Sequence, residues 1–162
     1  MPMVTFDALP DDARVWVFGS RDPLGDELAA SLLRHVDAYL DVWAAHGEPL
    51  TSARTWRDRH FLVIGLDQST AGASGCSIDA LFRILHGLEQ PLGTSLVTGG
   101  LVFYRDARGT VQCVDRATFS ARARAGEIDG DTPVFDTTLT TLGELREQFE
   151  RPANRSWHAQ LV

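Results

Sequence analysis

Thr51-Ser-Ala-Arg-Thr-Trp56, Arg57-Asp-Arg59 and His60-Phe-Leu-Val-Ile-Gly-Leu66 follow one another in the middle of the chain, and their reading decides the fold. The outer two segments are rich in strand formers and the charged triplet between them is a turn, so the stretch reads as a β-hairpin. Its second arm is apolar throughout. A strand without polar alternation is buried on both faces, which places His60–Leu66 at the centre of a sheet.

Arg14–Ser20 (RVWVFGS) reads as a second short buried strand, ended by Arg21-Asp-Pro23. Asp22 is expected to cap the next helix and Pro23 to take its first position. In that helix Leu28, Leu32, Val36, Tyr39, Leu40 and Trp43 recur at three- and four-residue steps, and His46-Gly47 followed by Pro49 is a stop signal. Beyond the hairpin, Gln68–Gly75 is a loop of small residues. Ile78, Leu81, Phe82, Leu85 and Leu88 then mark a second amphipathic helix, closed by Gln90-Pro91. Strands at Leu101–Tyr104 and Thr110–Val114 are joined through Arg108-Gly109. The order β-α-β-β-α-β predicts an α+β fold with a ferredoxin-like split βαβ lobe over residues 1–106.

Residues 107–162 are expected to form a smaller α+β lobe packed on the first. It holds a helix around Ala117–Ala125, a strand at Thr132–Phe135, and a helix opened by the capping box Thr141-Leu-Gly-Glu144 with Leu142, Leu145 and Phe149 on one face. The tail from Pro152 to Val162 should be only partly ordered unless the Trp157 indole docks.

The 162 residues are 44% hydrophobic and 23% charged, ordinary globular usage. A net charge of −7 argues against nucleic acid and anionic membrane as partners. Arginine supplies the positive charge, and this bias reads as genome composition rather than a recognition surface. Met1–Leu9 lacks a basic region with an apolar run, and the longest apolar stretch, Phe61–Leu66, is too short to span a bilayer. Two cysteines make no disulfide framework, so free thiols and a cytoplasmic location are expected. Free sheet edges or a docked tail leave a homodimer open.

The stretch that carries chemistry is Asp67-Gln-Ser-Thr-Ala-Gly-Ala-Ser-Gly-Cys-Ser-Ile-Asp79. Cys76 sits where a strand passes into a helix, and the unsatisfied amides and dipole of a helix start favour a thiolate. Amides from Gly75 to Ile78 can hold an anion or an oxyanion. Ser74, Gly75, Ser77, Asp79 and Asp67 are therefore candidate ligand-binding residues. A catalytic Cys76 needs a base, and His46 and His60 flank the hairpin, with His46 the candidate. The same residue types also suit a plain tight turn, with Ser77 or Asp79 as caps and His46 favourable at a helix C-terminus. Cys113, alternating with Val111, reads as core. The loop lacks the lysine of a phosphate-binding P-loop, no G-x-G-x-x-G follows a strand, and Arg83 lies outside phosphatase spacing from Cys76. No metal or cofactor is predicted.

Trp43 with His46-Gly-Glu-Pro-Leu50, the block Ala73-Ser-Gly-Cys-Ser-Ile-Asp79, and Gly126-Glu-Ile-Asp-Gly-Asp-Thr-Pro-Val-Phe135 resemble a family of short bacterial proteins of unknown function, often labelled ABC transporter ATPase. The resemblance covers nearly the whole chain and implies no activity. An ATPase of that class needs a P-loop, a Walker-B acid and an L-S-G-G-Q-like signature, and the sequence has none. Phe103–Phe135 also resembles the bacterial GYF-type module, which implies an aromatic-lined groove of the kind that binds proline-rich peptides. Thr137-Thr138 stand where that module has a second aromatic. The expected function is a binding or interaction protein, or a regulatory protein for a small anion. The alternative is a cysteine-dependent enzyme or thiol redox sensor using Cys76.

Overall fold

The computed structural model describes residues 3–69 and 71–162; Met1 and Pro2 of the N-terminal reading and Thr70 of the cysteine loop lie outside them. Strand β1 (Arg14–Gly19) leads to helix α1 (Asp26–Val42), then to the short β2 (Ala44–Ala45) and β3 (Glu48–Pro49). The hairpin β4 (Thr51–Arg57) and β5 (Phe61–Asp67) follows, then helix α2 (Gly75–Leu92). The remainder comprises β6 (Leu101–Arg105), β7 (Val111–Asp115), α3 (Arg116–Arg124), β8 (Pro133–Phe135), α4 (Leu142–Gln148) and β9 (Glu150–Pro152). Two 3-10 turns, Ala153–Arg155 and Trp157–Leu161, end the chain. Helices and separate sheets make the class α+β, as the sequence predicts.

β5 lies between β1 and β4, antiparallel to both, and every residue from Phe61 to Leu66 is buried. Because successive side chains of a strand point to opposite faces, β5 feeds two cores at once. Leu62, Ile64 and Leu66, with Trp16 and Phe18 of β1, meet Leu32, Val36 and Leu40 of α1 and Leu81 and Leu85 of α2. Phe61 and Val63, with Val15 of β1 and Ala53 of β4, meet Phe103, Phe135, Leu142, Leu145 and Phe149.

The second sheet has the order β7-β6-β8-β9, antiparallel throughout. Its far face packs Val102, Tyr104 and Val134 against Phe119 of α3, Ile128 and Ala153. The layers run helices, sheet, sheet, helix. Leu101–Tyr104 was expected as the fourth strand of the first sheet, and as part of β6 it belongs to the second. It stacks face to face on β1 instead of pairing with its edge. Phe103 lies so close to Gly19 that a Cβ there would collide with its ring. The boundary expected at residue 106 falls in the turn between the paired strands β6 and β7.

Local signals were resolved differently in three places. Asp22 does not cap α1, whose N-cap is Gly25 without a side-chain bond. The Asp22 N–H instead donates to Thr94 Oγ1 at 3.0 Å, and that hydroxyl donates back to the Asp22 carboxylate at 2.9 Å. His46-Gly47 is not a helix end. Both residues have positive φ (51° and 80°) and form the two-residue turn between β2 and β3, which favours that conformation. Helix α2 runs through Pro91 to Gly93, a left-handed cap whose N–H donates to the carbonyls of Glu89 and Gln90. A proline in the last turn forfeits one ladder bond, and the Glu89 carboxylate holds the exit by accepting from the N–H groups of Leu96 and Val97.

The tail is docked. Ala153 and His158 are fully buried, and Trp157 stacks on His158 with ring centroids 3.9 Å apart. Ser120 Oγ donates to the Leu161 carbonyl, closing the tail onto α3. Among the described residues, no helix is long and apolar enough to cross a membrane.

Phe61 meets Phe103, Phe135 and Phe149 at centroid distances of 5.0, 4.7 and 5.1 Å. Phe61→Ala should therefore lower unfolding free energy by about 3–5 kcal/mol in a denaturant titration, and a normal midpoint would contradict the two-core arrangement. Burial, reinforced by Arg116 and opposed by Asp136, pulls the His158 pKa from 6.5 down to about 4. The unfolded chain then binds the proton first as pH falls, so stability is complete above about pH 6.5 and drains away toward pH 4. This should remove on the order of 3 kcal/mol in wild type and vanish from the acid limb of a His158→Leu variant.

Candidate functional site

The turn from β5 into α2 is built by its own side chains. Ser74 is the N-cap: its hydroxyl accepts from the Ser77 N–H at 3.1 Å, and Ser77 Oγ accepts from the Ser74 N–H at 2.8 Å. Ser77 Oγ also donates to the Ser74 carbonyl, and the Trp43 indole N–H donates to the Ser77 carbonyl at 3.0 Å. Both hydroxyls are thus engaged in starting the helix, and the Ser77 carbonyl ties it to Trp43. Asp67 closes its own loop by accepting from the Ser69 N–H at 2.9 Å, a bond that holds its carboxyl below the usual range.

Cys76 is exposed, and the structure brings it to the same hollow of about 320 Å³ as His46, Ser74, Ser77 and Tyr39. Gly75, Asp79 and Asp67 do not line that hollow. His60 is remote from it, at the opposite end of β5, buried and held by Nδ1 on the Ser20 carbonyl at 2.7 Å. Cys113 is half-buried in β7, and burial pushes its thiol up to about 11. Among the described residues no three His, Cys, Asp or Glu side chains group as metal ligands would.

A second hollow, of about 310 Å³, opens beside the outer edge of β1. Its walls are Val17 of β1, Phe82 of α2, Leu96 and Val97 in the loop before β6, Leu139 after β8, and Trp157 of the tail. Two arginines stand at this cleft. The Arg14 guanidinium lies over the Trp16 ring at 4.7 Å, and that of Arg116 over the Trp157 ring at 5.0 Å. Arg54, Arg105 and Arg146 each pair with a carboxylate. Among the described residues Arg14 and Arg116 have no such partner. A guanidinium attracted to an aromatic face still has N–H groups for another acceptor, and the guanidinium fork suits a carboxylate or phosphate.

The backbone adds further groups. Val15 N–H donates outward to the Thr140 carbonyl, and Leu142 N–H donates to the Ala13 carbonyl, while Ser20 N–H turns inward to His60. Strand alternation then directs the amides and carbonyls of Val15, Val17 and Gly19 away from β5. Thr98 Oγ1 donates to the Gly19 carbonyl at 2.8 Å. Among the described residues the Val15 carbonyl, both backbone groups of Val17 and the Gly19 N–H have no protein partner.

This cleft was not anticipated. Arg14-Val-Trp16 places a cation and an indole on one strand face, a signal visible in sequence, but Arg116 and Trp157 lie 41 positions apart and only folding joins them. Tyr104 and Phe135, within the stretch that resembles the GYF-type module, are buried. No protein-family model, curated protein or solved structure matches the chain.

In the native protein, a thiol reagent at pH 7.5 should modify Cys76 within minutes and leave Cys113 intact. Cys113 should become reactive only toward pH 11 or on unfolding, which mass mapping of the labelled peptides reads directly.

Proposed function

We propose that this protein is a binding protein whose ligand is an anion with an apolar body, taken up in the cleft beside β1. The observation that carries this reading is the pair of arginines stacked on Trp16 and Trp157, uncommitted to any described carboxylate in a chain of net charge −7. The apolar walls suit a hydrocarbon portion, and the volume is at the small end of ligand sites. Anion recognition at the glycine loop is less well supported, because Ser74 and Ser77 spend their hydroxyls on the helix cap. The resemblance to the short bacterial family stays part of the proposal and adds no activity to it.

A second reading keeps Cys76 as a nucleophile or redox-sensing thiol with His46 as base, favoured by their sharing one hollow and by the exposure of the thiol. It expects Cys76→Ser to abolish a function that the cleft variants leave intact.

Thermal melting with octanoate, acetate and octanol separates the requirements for charge and for apolar body. Octanoate at ten times its Kd should add about 1.4 kcal/mol, a rise of about 4 °C in Tm for a chain of this size. Acetate and octanol should give little. Arg14→Gln or Arg116→Gln should each cut the octanoate shift by more than half. No saturable shift with octanoate, or an equal one with octanol, would sink the reading.

A further inference from the structure

We infer that the anion taken by this cleft belongs to a polypeptide: an extended, apolar segment bearing an acidic side chain, which adds to the outer edge of β1 as a further strand. The inference rests on the binding reading of the cleft and specifies its ligand. The guanidiniums alone would accept any carboxylate. The edge between them asks for more.

From Val15 to Gly19 the outward backbone groups run carbonyl, amide, carbonyl, amide, at the spacing of a strand, over about 13 Å. A small organic anion has no matching row of donors and acceptors, whereas the backbone of a three- or four-residue extended segment does. The row is closed at one end by Thr140 on Val15 and at the other by Thr98 on Gly19. It therefore fits a short stretch of another chain and is too short for the edge of a whole sheet, which argues against a second copy of this chain. Side chains of an added strand alternate between the two faces of the sheet. Arg14 and Trp16 lie on the face that packs on the helices, with Phe82 and Leu96 beside them. Leu139 and Val15 belong to the other face. Alternating acidic and apolar residues complement both the charge and the walls.

The test uses the full chain and the peptide Ac-Val-Glu-Val-Glu-Val-NH2, with calorimetry and the fluorescence of Trp16 and Trp157 as readouts. Saturable binding is expected, weakened about ten-fold or more when Glu becomes Gln in the peptide, and likewise by Arg14→Gln or Arg116→Gln. N-methylation supplies the signature of strand addition. Methylating one alternate set of peptide amides should cost about ten-fold or more, and methylating the other set should leave binding unchanged. Equal binding of both methylated peptides overturns the inference. Octanoate binding without peptide binding also overturns it and leaves the anion reading standing. Failure of both ligands removes the two together. A dimer in sedimentation that Val17→Lys abolishes, and that the peptide does not compete away, assigns the edge to a second copy and overturns the inference as well.

Discussion

β5 has no face toward water, and the rest of the molecule is arranged to satisfy that condition. Its even-numbered side chains demand one cover and its odd-numbered ones another, so two helices close one side and a second sheet with α4 closes the other. Burying a Leu, Ile or Phe side chain stabilises by about 1.5–3 kcal/mol, and β5 places four such side chains and a valine in six positions. The sixth is Gly65, where a Cβ would stand 2.5 Å from Leu9 Cδ1. Gly19 makes the same kind of room for the Phe103 ring. Neither glycine is there for a turn; each makes room for an apolar side chain of the second core, Leu9 at Gly65 and Phe103 at Gly19.

Those parts of the fold were legible whose cause is local. The hairpin, the stripes of α1 and α2, the capping box at Thr141 and Glu144, and the buried character of β5 all follow from neighbours within a few residues. The place of β6 was not legible, because the same five residues make an acceptable edge strand or an acceptable stacked one. What decides it is the fit of Phe103 over Gly19 and the occupation of the β1 edge by Thr140 and Thr98, contacts spanning roughly 80 to 125 positions. His46-Gly47 illustrates a different ambiguity. A glycine accepts the left-handed conformation equally well after a helix and in a two-residue hairpin, so one signal served two structures. Whether the tail docks was left open by the sequence, because an isolated Trp157 says nothing of the surface around Phe119 and Ser120 that receives the tail.

The candidate sites divide in the same way. The block from Ser74 to Asp79 has the composition of a ligand loop, and its serines turn out to hold one another. Cys76 and His46 do converge, through the short β2–β3 turn rather than through a helix end. The cleft beside β1 left almost no trace in the sequence. Its arginines looked like two among fifteen, and what sets them apart is that each lies over a tryptophan ring and both border one cleft. A stack of this kind is worth about 0.5–2 kcal/mol depending on its desolvation, enough to orient a guanidinium ahead of any ligand.

An antiparallel sheet with two open sides is an invitation to aggregate, since unpaired edges recruit further strands without limit. In the first sheet short, irregular stretches engage each side at a few points instead of regular strands. Val4 donates to the Ser52 carbonyl along β4, and Thr140 and Thr98 bracket β1. The few groups left open between the two threonines lie in a recess, out of reach of the long flat edge of another folded molecule. The two threonines thus shorten the open run of β1 to a length on which a full-length strand of another folded molecule would find too few partners.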